Sequence, residues 1–123
     1  MKDTDMEQTV RSVIRRMTAS SVMNLAFARN LIREVEKKAQ EMGVKAVVAV
    51  SDAAGRPVAI ECMDGAYIGS FDVALNKTFT SVAFQMSTAE LGKLASPGGS
   101  LYGIQNTNDG KIVIFGGGEP LYV

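Results

Sequence analysis

The chain has 123 residues, 46% of them hydrophobic and 21% charged, the balance of a single globular domain with one core. Thirteen Lys and Arg offset thirteen Asp and Glu, so no net field recruits nucleic acid or an anionic membrane. Histidine is absent and Cys62 is the only cysteine, which excludes Ser-His and Cys-His nucleophile pairs, imidazole ligation, an internal disulfide and a conventional zinc site.

Met1 to Gln8 is charged and lacks the apolar segment of a secretory signal. Nor does any run approach the roughly 18 apolar residues of a membrane span. From Asp5 to Met17, the residues Met6, Val10, Val13, Ile14 and Met17 recur on one face of a helix. Asp3 or Thr4 suits its start, and Arg15 and Arg16 suit its negative end. Thr18-Ala-Ser-Ser21 then reads as a linker. Two uses fit this helix: docking on its own domain, or serving as a detachable amphipathic tag for a partner protein.

A second helix is expected from Asn24 to Met42, capped by Asn24 and ended by Gly43. Its apolar stripe is Leu25, Ala28, Leu31, Ile32, Val35, Ala39 and Met42, with Glu34 and Lys38 as an i,i+4 pair. Lys45 to Asp52 is nearly all β-branched or small, the pattern of a strand buried on both faces. A turn over Asp52-Ala-Ala-Gly55 leads into an antiparallel return strand, Arg56 to Met63, with Cys62 as a small buried hydrophobe. A helix is expected over Tyr67 to Phe84, capped by Ser70, and a shorter one follows Ser87-Thr-Ala-Glu90, which has capping-box form. Asn106 to Gly110 reads as a hairpin loop before a third strand, Ile112 to Phe115. The order of elements predicts an α+β domain on a mostly antiparallel sheet.

The stretch Lys111-Ile-Val-Ile-Phe-Gly-Gly-Gly-Glu-Pro-Leu121 runs an apolar segment into three glycines. Gly116, Gly117 and Gly118 lack the spacing and the Lys-Ser/Thr of a phosphate loop, so they read as backbone packed closely against the turn around Tyr102, or as a pocket wall. Asp52, Asp64 and Glu119 sit at strand ends, as turn formers or as a carboxylate group. Lys77 is the one cation of an otherwise apolar helix, either snorkelling to the surface or partnering an anionic ligand. Met63 and Tyr102 are of the types that ligate haem iron.

Five segments, Val48 to Gly55, Met63 to Gly65, Asp72 to Lys77, Ser96 to Gln105 and Ile114 to Leu121, together resemble the GlcG/HbpS family, which includes the C-terminal domain of PduO. The resemblance spans about Asn24 to Leu121. It implies a profilin-like three-layer α/β/α sandwich around a mostly antiparallel sheet, assembled as dimers up to octamers. It also implies binding of haem, another tetrapyrrole or a corrinoid-linked ligand, with no histidine here to serve as ligand. Matching positions are Asp52, Met63, Asp64, Lys77, Pro97, Gly98, Tyr102 and Gly116 to Gly118.

Family members continue beyond the glycine element into a further strand and helix, so an end at Val123 leaves one sheet edge to be covered. Residues 1–20 then read as helix plus linker, resembling tags that dock on bacterial microcompartment shell proteins, and 21–123 as the domain. The function expected is a non-catalytic, cytoplasmic ligand-binding or accessory module, its pocket near Met63, Lys77, Tyr102 and the glycines. The alternatives are an enzyme or enzyme subunit of cobalamin or diol metabolism, or a structural oligomer without ligand. Neither nucleic acid nor membrane is expected as a partner.

Overall fold

The computed structural model describes residues 3–17 and 23–121. The Thr18 to Ser21 linker lies outside them, as does the end at Val123. Four helices and one hairpin follow in order: α1 (Asp3–Met17), α2 (Leu25–Glu41), β1 (Val47–Ser51), β2 (Pro57–Cys62), α3 (Gly69–Phe84) and α4 (Thr88–Leu94). Two short 3-10 turns, Ile104–Asn106 and Asn108–Gly110, follow among the described residues.

The expected second helix forms as its ends dictate. Asn24 Oδ1 accepts the Phe27 N–H at 2.8 Å, and Gly43 follows the last turn at φ +71°. Its stripe is the spine of the core: Ala28, Leu31, Ile32, Val35 and Ala39 are buried, while Leu25 stays 50% exposed. Val13 of α1 is fully buried in the same cluster, with Met6 and Val10 packed against it. Lys38 pairs with Glu41 at 3.4 Å.

β1 and β2 pair antiparallel from Val47↔Cys62 to Val50↔Ala59, with an irregularity after Val50. Val48 and Val50 join the α2 cluster, whereas Ser51 Oγ lies 2.7 Å from Thr78 Oγ1 of α3. Alternation along the strand therefore puts α2 and α3 on opposite faces of the sheet. The class is α+β as expected, with two paired strands where a larger sheet was expected.

Several local expectations need correction. Lys111 to Phe115 forms no ladder, because α3 and α4 take up its polar groups: the Val113 N–H donates to Thr80 Oγ1 at 3.1 Å. A side chain at Gly92 of α4 would collide with the Ile114 carbonyl. Without a third strand there is no hairpin over Asn106 to Gly110, only the 3-10 turns. β1 is covered by helices on both faces, yet only Val50 is fully buried, because the outer edge of the strand opens on a cleft. Cys62, at the end of the outer strand, is exposed. Ser70 does not cap α3, which starts after Ile68 without a side-chain cap. The buried positions of α3 are Thr80 and Ser81, while Phe71 is 40% exposed.

Candidate functional site: an apolar cleft beside the glycine triplet

A cleft of about 1310 Å³ opens between α1 and α2, the free edge of β1, α3 and residues 115–121. Small-molecule pockets ordinarily span roughly 300–1,000 Å³, so this one admits a large ligand. Phe27, Leu31 and Val35 line one side, and Val73, Ala74 and Val82 the other. Its floor is different. The Met63 N–H donates to the Ala46 carbonyl, so by antiparallel alternation Val48 and Val50 bond β2. The amides and carbonyls of Val47 and Ala49 then face the cleft.

Two side chains of α3 supply polar points in this apolar space. Ser81 is 2% exposed, and its hydroxyl has no partner among the described residues. Lys77 Nζ donates to the Gly116 carbonyl at 2.9 Å and sits 4.5 Å from the Phe115 ring centre. That contact explains the second glycine of the triplet. Gly117 has φ +121°, and a Cβ there would stand 2.8 Å from Lys77 Nζ. At Gly118 a Cβ would lie 2.7 Å from Thr88 Cγ2, while its N–H and C=O exchange bonds with Thr88 Oγ1 (2.9 Å) and Thr88 N–H (3.0 Å). The triplet thus packs on α3 and α4, not on the turn around Tyr102. That turn is tied instead to the end of α4, through Leu101 N–H to the Leu94 carbonyl at 2.9 Å.

At the rim, Arg11 Nε donates to Glu119 Oε1 at 3.0 Å and its Nη2 to Glu7 Oε1 at 3.0 Å. The hydrogen bond and charge of Glu119 hold the Arg11 guanidinium still more firmly protonated. Asp52, at the other end, accepts the Ala54 and Arg56 N–H groups at 3.0 Å each and pairs with the Arg56 guanidinium. The Arg56 amide is the first cause that holds the Asp52 carboxyl below its ordinary range.

Of the expected site residues, Asp52, Lys77 and Gly116 to Gly118 line the cleft. The others do not. Met63 Sδ accepts the Ala46 N–H at 3.4 Å at the far end of the sheet, and Asp64 is exposed in the next turn. Pro97 and Gly98 are exposed beyond α4, and Tyr102 is 66% exposed. Asp52, Asp64 and Glu119 do not converge as a catalytic group, because Asp52 closes its own turn and Glu119 is held by Arg11. Ser81 is not among the residues that the sequence marks. Its signal was the row Lys77, Thr78, Ser81 and Gln85, a polar stripe at helical spacing.

Residues 23–123 match the family model described as haem degrading protein HbpS-like. The chain is 41% identical over 101 residues to a 15.0 kDa protein from the dhaT-dhaS intergenic region of Citrobacter freundii, covering 82% of this chain and 71% of that one. It is 35% identical over 107 residues to the corrinoid adenosyltransferase PduO of Citrobacter freundii, covering 85% of this chain but 32% of PduO. Among solved structures, Klebsiella pneumoniae protein ORFY superposes with a TM-score of 0.76 at 39% identity, over 85% of this chain and 74% of that one. The PduOC:haem complex superposes with a TM-score of 0.65 at 29% identity, over 88% of this chain and 66% of that one. Sequence and fold agree along nearly the whole length after α1, and the chain belongs to the HbpS-like family.

Proposed function

We propose that this protein is a non-catalytic binding or accessory module for haem or a related tetrapyrrole, held in the cleft. The observation that carries the reading is Ser81: a buried hydroxyl without a partner, on the wall of a large apolar cleft. A buried polar group left unpaired costs roughly 1–3 kcal/mol, so it marks a place where a ligand's polar atom belongs. The relative PduOC, solved with haem, supports the choice of ligand class.

The residues present fit such a group. Apolar side chains of α2 and α3 would cover the macrocycle, and the Ser81 hydroxyl and Lys77 ammonium would meet polar substituents at its edge. Met6, Met23 and Tyr67 are the lining residues of haem-ligating type; Met63 and Tyr102 lie off the cleft. Haem, when bound, supplies an iron centre. The chain supplies burial, orientation and exclusion of water.

Homo-oligomer formation belongs to the same proposal, supported by the exposed apolar patch of Tyr67 (85%), Ile68 (95%) and Phe71 (40%). A cytoplasmic or microcompartment setting belongs to it too, and docking of residues 5–17 on a shell protein would require α1 to leave the core cluster that buries Val13. The test is to add hemin and, separately, cobalamin to the full chain and record difference spectra. A saturable Soret shift with hemin is expected, weakened roughly tenfold in Ser81→Ala, the loss of one hydrogen bond. No saturable change with either ligand would overturn the reading.

A further inference from the structure

α1 is the one wall of the cleft that precedes the family-matched segment, residues 23–123. Its Met6, Val10 and Val13 line the cavity, and Glu7, Thr9 and Arg11 make its polar ties among the described residues. Arg11 bridges Glu119 at 3.0 Å on the domain and Glu7 at 3.0 Å on its own helix, and Thr9 Oγ1 reaches Met42 Sδ at 3.7 Å. The Glu119 side chain is only 6% exposed. A carboxylate buried to that degree needs its cation, because removing one partner leaves an unpaired charge out of water. The Arg11 side chain, by contrast, is 42% exposed, so solvent and salt reach the pair from one side. The second oxygen of Glu7 abuts Gly116, where a side chain would displace it. The helix is therefore fastened at the rim formed by residues 116–119, beside Lys77.

We propose that α1 is a lid on the cleft, latched by Arg11 on Glu119, and that parting this ion pair admits ligand. The chemical class admitted rests on the reading of the cleft as a tetrapyrrole pocket; the lid itself does not. Deleting α1 is a poor test, since Val13 is part of the core. Charge reversal is a better one. The entry of 1-anilinonaphthalene-8-sulfonate, an apolar fluorescent anion, is followed by stopped flow in the full chain. Arg11→Glu and Glu119→Arg should each speed entry roughly tenfold, the effect of removing about one charge-assisted contact. The double reversal should return the rate to near the starting value. Raising NaCl from about 0.05 to about 1 M should speed the parent chain, whose attraction it screens, and slow the single reversals, whose like-charge contact it screens.

Should a reversal unfold the chain by circular dichroism, Arg11→Met keeps the stem and removes the charge, and faster entry there supports the lid. Equal rates in the parent chain and every folded variant, or a double reversal as fast as the singles, overturn it. Gated dye entry without a saturable spectral change from hemin or cobalamin leaves the lid standing and removes the tetrapyrrole reading. A hemin shift with ungated dye entry does the reverse.

Discussion

The Lys77 ammonium lies 2.9 Å from the Gly116 carbonyl oxygen and 4.5 Å from the centre of the Phe115 ring. One side chain thus fastens α3 to the segment that carries the glycine triplet. Lys77→Met keeps the stem but loses a charged hydrogen bond and a cation–π contact, and should cost about 1–3 kcal/mol in chemical denaturation. Gly117→Ala should cost a similar amount, because the new Cβ meets Lys77 Nζ at a backbone angle of +121°. In the Lys77→Met background part of that cost should disappear, and a double-mutant cycle measures the coupling.

Thr88 offers a cleaner separation of hydrogen bonding from packing. It is fully buried, and its hydroxyl accepts the Gly118 N–H at 2.9 Å. Thr88→Val preserves the shape and strands a buried amide, so a loss of about 1–3 kcal/mol is expected. Thr88→Ser keeps the acceptor and should cost clearly less, the lost methyl being worth about 1 kcal/mol. Equal losses in the two variants would contradict the role given to the hydroxyl.

Burial pushes the Glu36 carboxyl above its ordinary value, contact with Glu61 across α2 and β2 adds to the rise, and Arg33 opposes it. The folded chain therefore holds this proton more tightly than the unfolded chain does. Its contribution to stability is present below the ordinary glutamate range and is lost as pH rises through the raised folded value. Glu36→Gln should accordingly stabilise the protein near neutral pH, by roughly 0.5 kcal/mol, the usual size of relieved like-charge contact. That advantage should shrink on acidification, which urea midpoints at about pH 7 and about pH 4 would show.

Cys62 stands exposed at the end of β2. A thiol reagent should label one equivalent per chain without denaturant, and labelling should leave the thermal midpoint nearly unchanged. Slow labelling that accelerates only on unfolding would place the thiol inside.

How much of this was legible in the sequence depended on the range of the interactions. α2 was readable because its cap, its stripe and its terminal glycine all lie within one stretch of chain. The hairpin was readable because Asp52 and Gly55 set its turn locally. The fate of Ile112 to Phe115 was not, since a β-branched run is equally content against helices once Thr80 accepts its amide. At the site, Lys77 and the three glycines each stand out in the sequence, but the contact between Lys77 and Gly116 spans 39 residues and is not readable from it. Met63 and Tyr102 were grouped with them by side-chain chemistry, which carries no information about distance. Ser81 is not legible in the sequence because a serine in an apolar helix is ordinary; only its burial and unpaired hydroxyl among the described residues set it apart.

The free edge of β1 has a consequence of its own. Val47 to Ser51 is uncharged, β-rich in composition, contains no proline, and is bonded on one side only. Such an edge is a template for further strands, which natural proteins blunt with charge, bulges or cover. Here the flanking helices do that work, since the extra residue of the irregularity after Val50 lies in β2, and their loss would expose a self-complementary segment. Handling at high concentration, or any variant that lifts the helices from this edge, should therefore shift the protein from reversible unfolding toward fibrous precipitation.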